Sequence, residues 1–294
     1  MRYVGPIYRP PSEAMSLLVQ ATSGCPHNKC SFCMVYKRGP AFMVRPTADI
    51  IADLHQARTE LGDGVRTLFL PAGNSLAMPT AALAAVCATA GELFPHLTRI
   101  TTYASVNSIL AHGGSGLARL RAAGLKRLHV GLESGHDPTL VRVKKGCTSA
   151  DQIEAGRLAL AAGLELNLYL LLGLAGPDDA LAHAAATAAV VNRINRAGPL
   201  SLRLRTLVPK VDTLLLHQIK RGRFRLCTPH QVLAEARALI ADLAGPATLA
   251  SDHYSNYLNL AGRLPGDRAR LLGEIDAALT LPRSAFRADF VGRQ

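Results

Sequence analysis

The stretch SLLVQATSGCPHNKCSFCMVYKRG, residues 16–39, joins an apolar run of strand length to a loop that carries three cysteines. Cys25, Cys30 and Cys33 fall within nine positions, and only three further cysteines occur in the chain of 294 residues. A ligand-rich loop that directly follows a strand is typical of β/α proteins, whose sites form at the carboxyl ends of the strands. The stretch therefore raises two questions, namely which fold carries the strand and what the thiols bind.

Outside this stretch the chain alternates segments with strand character and segments with helical character. Apolar runs of strand length lie at residues 16–22, 66–72, 98–104, 127–132, 164–172 and 201–207. Helical spacing appears between them, for example in TADIIADLHQARTELG and SADQIEAGRLALAAG, which capping residues open and glycine closes. The strand starts recur about every 30 to 50 residues, which is the length of a βα unit.

This alternation predicts an α/β fold with parallel strands, specifically a partial (β/α)6 TIM-type barrel over residues 1–208. After about residue 209 the alternation of strands and helices stops. Helical apolar spacing then predicts helices in two segments, PHQVLAEARALIADLAG and PGDRARLLGEIDAAL. We therefore expect residues 209–294 to form a C-terminal helical extension that covers the barrel. The cysteine loop would then lie at the barrel mouth.

Composition favours an ordinary globular enzyme. A hydrophobic content of 49% argues against disorder, and no apolar run is long enough to span a bilayer. The N-terminal MRYVGPIYRPPSEAM lacks the apolar core of a signal peptide, so the sequence predicts a cytoplasmic protein without membrane contact. In a reducing compartment, crowded cysteines indicate a metal site or reactive thiols more than a disulfide framework.

The net charge of +12 and the pI of about 9.8 make RNA a conceivable partner. The charge is diffuse, however, and its densest run, KRGRFR at residues 220–225, is typical of a solvated helix end or loop. Aromatic residues make up 5% of the chain, without the aromatic and basic interleaving of RNA-recognition modules. A small-molecule partner is favoured over RNA.

Three thiolates allow two kinds of metal site. They can bind zinc if a fourth ligand such as His27 joins, or they can bind three irons of a [4Fe–4S] cluster and leave the fourth iron open. A barrel mouth with one open iron is a place for substrate chemistry, which favours the cluster. Zinc and unrelated thiols stay open as alternatives at this stage.

Several blocks of the sequence resemble the radical S-adenosylmethionine (radical SAM) superfamily. They include YRPPSEAMSLLVQATSGCPHNKCSFCMVYK, LFLPAGNSLAMPT, GLKRLHVGLESGHDPTL and SDHYSNYLNLAGRLP. Within the superfamily they are similar to a subgroup that resembles the oxygen-independent coproporphyrinogen oxidases and the elongator-type tRNA-modifying enzymes. One departure is the interval PHNK between Cys25 and Cys30, which has four residues where most of the superfamily has three.

The resemblance implies an enzyme whose [4Fe–4S] cluster is ligated by Cys25, Cys30 and Cys33 and binds S-adenosylmethionine at its open iron. Reductive cleavage would then produce a 5′-deoxyadenosyl radical that abstracts hydrogen from a small-molecule substrate. A low-potential electron donor such as flavodoxin or ferredoxin is implied as a partner. The alternatives are a radical SAM enzyme that modifies tRNA and a non-catalytic zinc-binding scaffold.

The resemblance also suggests cofactor-binding residues. Phe32 would pack against the adenine side of S-adenosylmethionine, and Gly73 and Asn74 match a block near its amino group. Glu133 would accept hydrogen bonds from the ribose or the amine, and Lys145 would reach toward the carboxylate. A core aromatic and a solvated lysine are the alternatives for Phe32 and Lys145.

Four residues are catalytic candidates. Tyr169 and Arg205 lie on or near strand ends, although alternation alone leaves their face undecided. Asp252 and His253 form an Asp-His pair in the covering segment, where they could orient substrate or transfer a proton. An Asp that caps a turn and a His in the core are the structural alternatives.

The cysteines outside the loop are expected to be ordinary. Cys87 lies on an apolar helical segment, and Cys147 and Cys227 are isolated. Only Cys147, near the cofactor side of the predicted barrel, keeps a reactive role as an alternative.

Overall fold

The computed structural model describes residues 1–292, which form two compact units. Unit 1 comprises Met1–Asn28, Tyr36–Val130 and Ala155–Leu166, and unit 2 comprises Lys29–Val35, Gly131–Glu154 and the chain from Asn167 onward. The cysteine loop is divided between them, because Cys25 belongs to unit 1 whereas Cys30 and Cys33 belong to unit 2. The predicted boundary between residues 208 and 209 falls inside unit 2 and stays a prediction.

Strands and helices alternate as the sequence predicts, which confirms the α/β class. Among the described residues the strands are β1 (Leu17–Leu18), β2 (Thr22–Ser23), β3 (Met43–Val44), β4 (Thr67–Leu70), β5 (Arg99–Ala104), β6 (Leu125–Glu133), β7 (Glu165–Leu172), β8 (Leu200–Thr206), β9 (Ala247–Ala250) and β10 (Ala261–Leu264). The helices are α1 (Thr47–Leu61), α2 (Thr80–Leu93), α3 (Val106–Ala122), α4 (Asp137–Arg142), α5 (Ser149–Ala161), α6 (Ala180–Asn195), α7 (Leu214–Lys220), α8 (Pro229–Asp242) and α9 (Arg268–Leu279). Within residues 1–292, none of the helices combines the length and hydrophobicity that a bilayer crossing requires.

In unit 1, the strands β1, β4, β5 and β6 pair in parallel in that order. Leu68, Phe69 and Leu70 of β4 are all fully buried, as expected for a parallel strand that is covered on both faces. The helices α1, α2 and α3 pack against one another in sequence order. Parallel pairing directs the carboxyl ends of these strands, and the loops that follow them, toward the same edge.

The first predicted strand, residues 16–22, is interrupted. Its beginning is β1, which pairs with β4, and its end is β2, which pairs antiparallel with β3. Between them the Val19 amide still donates to the Phe69 carbonyl over 3.2 Å. The apolar pattern of this run could not reveal the change of pairing strand, because a strand needs similar apolar side chains whichever strand it pairs with.

In unit 2, β7, β8 and β9 pair in parallel, and β10 pairs antiparallel with β9. The helices α6, α8 and α9 pack in that order, α6 on α8 and α8 on α9. Residues 209–292 are therefore not purely helical, since they contain two strands that the sequence did not predict. Each of these strands has four residues, which is too short for a clear alternation.

A buried carboxylate connects the N-terminal segment of unit 1 to its sheet. Glu13 is completely buried, and its Oε2 accepts a hydrogen bond from Ser16 Oγ over 2.7 Å and lies 3.2 Å from Arg99 Nη2 of β5. Its Oε1 lies 3.2 Å from His129 Nε2 of β6. Burial alone would raise the pKa of Glu13, but the hydrogen bonds from His129 and Ser16 and the charge of Arg99 lower this pKa overall.

We predict that Glu13→Gln lowers the free energy of unfolding at pH 7 by about 3 kcal/mol, because it leaves the mostly buried Arg99 without its counter-charge. The folded carboxyl has a lowered pKa, so its contribution is complete above the unfolded glutamate pKa of about 4.3 and is lost as the pH falls through the folded value. Urea unfolding at several pH values measures both effects. Glu92→Gln, on the exposed side of α2, should change neither the free energy of unfolding nor its pH dependence. Equal losses of stability in the two variants would contradict the stabilising role of Glu13.

Candidate cofactor site

Around the first cysteine, the loop after β4 approaches the cysteine loop closely. Ala72 has a positive φ of 89°, which is rare for a residue with a side chain, and Gly73 then donates its amide to the Gly24 carbonyl over 3.1 Å. A Cβ on Gly73 would lie 2.5 Å from the Gly24 oxygen and 2.9 Å from Cys25 Cβ. Only glycine fits there, so the structure brings Gly73 against Cys25.

Asn74, the next residue, offers a buried acceptor. Its side chain is 1% exposed, and Nδ2 donates to Ser105 Oγ over 3.0 Å and to Ser108 Oγ over 2.6 Å. Its Oδ1 is buried and has no hydrogen-bond partner among residues 1–292. A buried acceptor without a partner is unusual, and a donor group on a bound ligand would satisfy it.

The three thiols of the loop have the chemistry of metal ligands. None of them is in a disulfide, and each is partly exposed. The Asn28 amide lies 3.5 Å from Cys25 Sγ, and amides directed at sulfur are typical of iron–sulfur sites. In the part of the chain that the structure describes, no three Cys, His, Asp or Glu side chains are already gathered around the position of one metal ion.

The second half of the loop, residues 29–35, is held within unit 2 by Ser31. The Ser31 amide donates to the Val143 carbonyl and the Ser31 carbonyl accepts from the Leu215 amide, both over 2.9 Å. Phe32 is partly buried against an apolar cluster that includes Val143, Leu171 and Leu215. This packing is the structural alternative for Phe32, whose contact with adenine stays a prediction.

Glu133 and Lys145, the two charged residues predicted for cofactor binding, lie together in unit 2. Lys145 Nζ is 3.4 Å from Glu133 Oε1, and both side chains are mostly buried. Burial alone would lower the pKa of Lys145, but the charge of Glu133 and the nearby Cys30 sulfur raise it overall. Lys145 is therefore a buried cation beside Cys30 and not a solvated lysine.

The backbone at Glu133 is constrained in two ways. Its φ is +66°, a left-handed conformation that costs a residue with a side chain about 1–2 kcal/mol. A Cβ on Gly131 would lie 2.4 Å from Glu133 Oε1, so the carboxylate folds back over a glycine. Strain of this kind at a strand end is common in functional sites.

The other cysteines differ from those of the loop. Burial raises the pKa of Cys87 and of Cys227 to about 12, so both thiols stay protonated. Cys147 Sγ lies 3.9 Å from Gln152 Nε2, and burial raises its pKa although Lys145 opposes the shift. A thiol with a raised pKa is a weaker nucleophile and ligand than a thiolate.

Two of the four catalytic candidates, Tyr169 of β7 and Arg205 of β8, are in contact. The Arg205 guanidinium carbon lies 4.9 Å from the centre of the Tyr169 ring. The register of β7 and β8 places these side chains on the same face of the strands, which the sequence left undecided.

The predicted Asp252–His253 pair has different partners in the structure. Asp252 Oδ1 forms a short ion pair with Arg203 Nη2, and His253 Nδ1 lies 2.8 Å from Ser255 Oγ. Burial, followed by the positive charges of Arg205, Lys210 and Arg203, lowers the pKa of His253 to about 4. His253 is therefore neutral near pH 7, and its role in catalysis stays a prediction.

Comparison with known proteins shows to which family the chain belongs. The model of the Radical SAM superfamily matches residues 19–186, more than half of the chain, and this range includes all three cysteines of the loop. The chain belongs to the radical SAM superfamily. It is accordingly a radical SAM iron–sulfur enzyme, of a family that uses a [4Fe–4S] cluster and S-adenosylmethionine together with a reductant and a substrate.

Solved structures of radical SAM enzymes share the fold. Methylornithine synthase is 18% identical, with a TM-score of 0.54 over 88% of this chain and 68% of that chain. Coproporphyrinogen III oxidase from Escherichia coli is 20% identical, with a TM-score of 0.56 over 78% and 52%. The FeFe-hydrogenase maturase HydG from Carboxydothermus hydrogenoformans is 15% identical, with a TM-score of 0.53 over 88% and 56%.

These similarities confirm the predicted partial TIM-type barrel and, at such low identity, show the fold alone. The chain spans between about half and two thirds of the length of these three structures. None of the curated proteins matches the chain in sequence.

Several residues that shape the candidate site were missed in the sequence. Gly24 and Gly131 are needed for close approaches, and Ser105 and Ser108 orient Asn74. Ser105 follows β5 and caps α3, so a polar residue after a strand was an available signal. The glycines had no such signal, because their importance depends on atoms from distant parts of the chain.

We predict that Gly73→Ala lowers the iron content of the anaerobically reconstituted protein and destabilises it by about 1–3 kcal/mol, since the added carbon overlaps the Gly24 carbonyl and Cys25. Iron and sulfide analysis together with urea unfolding measures this. Gly91→Ala is the control, because a Cβ there meets nothing within 4 Å in helix α2. It should leave iron unchanged and raise stability by about 0.5–1 kcal/mol. Normal iron in Gly73→Ala would contradict the packing argument.

A second prediction concerns His253. Its folded pKa is depressed to about 4, so the folded protein gains a proton there later than the unfolded chain does as the pH falls. This stability contribution is therefore present above about pH 6.5 and is lost as the pH falls toward 4. NMR titration of the ring and unfolding at pH 7 and pH 5 measure it. His253→Gln should weaken the pH dependence, whereas the exposed His55→Gln should not.

Proposed function

We propose that this enzyme uses a [4Fe–4S] cluster held by Cys25, Cys30 and Cys33 to act on a small molecule. When bound, the cluster and S-adenosylmethionine supply a radical that is strong enough to take hydrogen from an unactivated carbon. A low-potential donor such as flavodoxin or ferredoxin would provide the electron. The residues of this chain would bind, orient and shield the reacting groups.

The contrast among the cysteines supports this ligand set. The three loop thiols are partly exposed, and two of them have polar or cationic neighbours, the Asn28 amide at Cys25 and Lys145 near Cys30. Positive charge near a thiol favours the thiolate that binds metal. Cys87 and Cys227, by contrast, are buried with strongly raised pKa values.

The observation that carries the proposal is the contact of Gly73 with Cys25. A site that placed S-adenosylmethionine beside the cluster would need main chain without a side chain next to a ligating cysteine, and Gly73 provides it. The unsatisfied Oδ1 of Asn74, the next residue, could then accept a hydrogen bond from an ammonium group. Gly73 and Asn74 are therefore proposed as contacts of the amino-acid part.

Glu133 and Lys145 are proposed to bind the same cofactor through its other groups. In the structure each balances the charge of the other at 3.4 Å. A ribose hydroxyl could donate to Glu133, and a carboxylate could share Lys145, without leaving either charge unpaired. Gly131 would keep the carboxylate in this position.

Tyr169, Arg205, Asp252 and His253 are proposed to serve the substrate. Arg203 neutralises Asp252, so Asp252 would orient Arg203 more than it would activate His253. His253 is neutral near pH 7 and would donate or accept a hydrogen bond without carrying charge. Residues of this kind suit a polar small molecule.

The experiment replaces each cysteine in turn. Anaerobically reconstituted wild type should hold about four irons and four sulfides. Cys25→Ala, Cys30→Ala and Cys33→Ala should each lose most of the iron, and Cys87→Ala and Cys227→Ala should keep it. A full cluster in Cys25→Ala would show that another residue is the ligand.

The same samples test the cofactor. Reduction of the wild type with a strong one-electron donor should release 5′-deoxyadenosine from S-adenosylmethionine even without substrate, and the three loop variants should release none. Zinc without iron, or no 5′-deoxyadenosine from a fully loaded wild type, would overturn the proposal.

A further inference from the structure

One face of the strands β7, β8 and β9 in unit 2 is polar. Leu168, Leu170, Leu202 and Leu204 of the opposite face are all buried, as expected for the side that packs beneath helices. The register of β7 with β8 pairs Asn167 with Ser201, Tyr169 with Arg203 and Leu171 with Arg205. Ser201 Oγ and Thr248 Oγ1 of β9 are 3.1 Å apart, so β9 continues this face.

Arg205 is the central cation of this face. Its guanidinium stacks on the Tyr169 ring at 4.9 Å, and its Nε is buried with no hydrogen-bond partner within residues 1–292. A buried arginine donor normally has an acceptor, because desolvating the N–H without one is costly. The stacked ring holds the plane of the guanidinium in place. The donor is thus oriented and unsatisfied.

The surroundings of Arg205 are also positive. Asp252 is paired with Arg203, whose side chain is 14% exposed, and Lys210 Nζ donates to Tyr254 Oη over 3.0 Å. The charges of Arg205, Lys210 and Arg203 act together on His253, where they add to the effect of burial in lowering its pKa. The three cations thus act on the same ring, and a positive potential of this kind favours an anion.

His253 adds a neutral donor in a defined orientation. Ser255 Oγ accepts the Thr206 amide over 3.2 Å, so its own proton is available for His253 Nδ1 at 2.8 Å. The Ser255 amide also donates to Nδ1 over 3.2 Å. Because Nδ1 accepts both hydrogen bonds, the neutral His253 ring carries its proton on Nε2. Thr206 directly follows Arg205, which connects this ring to the end of β8.

We propose that Arg205, Lys210 and the Nε2–H of His253 form a subsite for the carboxylate or phosphate group of a small-molecule substrate. The proposal rests on the proposed function and specifies its substrate class as an organic acid or a phosphate ester. A planar guanidinium with a free Nε matches either group, since both accept two parallel N–H bonds. Partial burial of the arginines favours a compact anion over the backbone of a nucleic acid, which needs exposed cations.

The test uses the anaerobically reconstituted enzyme and two probes, inorganic phosphate and succinate, at constant ionic strength. Calorimetry should show one site per chain for at least one probe, and NMR should show that this probe raises the pKa of His253. Arg205→Gln should weaken binding at least tenfold, and Lys210→Gln several-fold. Arg205→Lys keeps the charge but loses the planar N–H donors of the guanidinium. Its affinity for the probe should lie between those of Arg205→Gln and the wild type.

Arg237→Gln is the matched control, because it removes one arginine of unit 2 that pairs with Asp276 on α9 and lies outside this face. It should bind the probe as wild type does. Equal losses in Arg237→Gln and Arg205→Gln would overturn the subsite. Displacement of the probe by S-adenosylmethionine would assign the anion to the cofactor, and displacement by bulk tRNA would assign it to nucleic acid, and each would overturn the proposal.

The experiments distinguish a failure of the anion subsite from a failure of the proposed radical function. Release of 5′-deoxyadenosine reports on the cluster and cofactor and does not require Arg205. Normal release without any probe binding would overturn the subsite alone. Probe binding that is lost in Arg205→Gln, in a protein that releases no 5′-deoxyadenosine, would support the subsite while the radical function failed.

Discussion

The close contact between Gly73 and the cysteine loop is the constraint on which the proposed cofactor site depends. Main chain from two separate loops meets there, with a carbonyl oxygen and a cysteine Cβ both nearer than a side chain would allow. The preceding residue, Ala72, adopts a positive φ, and the following residue, Asn74, keeps an acceptor without a partner. Such features are unfavourable for folding alone, and they are expected where a protein shapes itself around a ligand.

In each unit a buried or mostly buried glutamate is paired with a cation. Glu13 in unit 1 is surrounded by donors and cations, so its burial connects the N-terminal segment to β5 and β6. Glu133 and Lys145 in unit 2 are also paired, but on a strained backbone and beside Cys30. The first group is satisfied without any ligand, whereas the second keeps two charges near a thiol where a cofactor could share them.

If the proposed subsite is right, the polar face of β7, β8 and β9 would separate substrate recognition from cofactor chemistry. Its arginines are partly buried and oriented by Tyr169 and Asp252, so little side-chain entropy would be lost when they bind an anion. The tautomer of His253 is set by Ser255 rather than by an acidic neighbour. An enzyme that handles radicals benefits from recognition groups that hold the substrate still, because the position of a hydrogen decides which one is taken.

Local sequence was enough to predict the α/β class and the parallel strands, because apolar periodicity is a local property. The three thiols were also selected by their local spacing, and their role as ligands stays a prediction. The superfamily followed from the same short blocks. The division of residues 16–22 into β1 and β2, the strands β9 and β10, and the partner of Asp252 were decided by tertiary structure. In each case the partner lies far along the chain or on an element too short for a pattern. Glu13 and Gly73 show the physical reason most clearly, since a buried charge or a missing Cβ acquires meaning only from atoms that folding brings within about 3 Å.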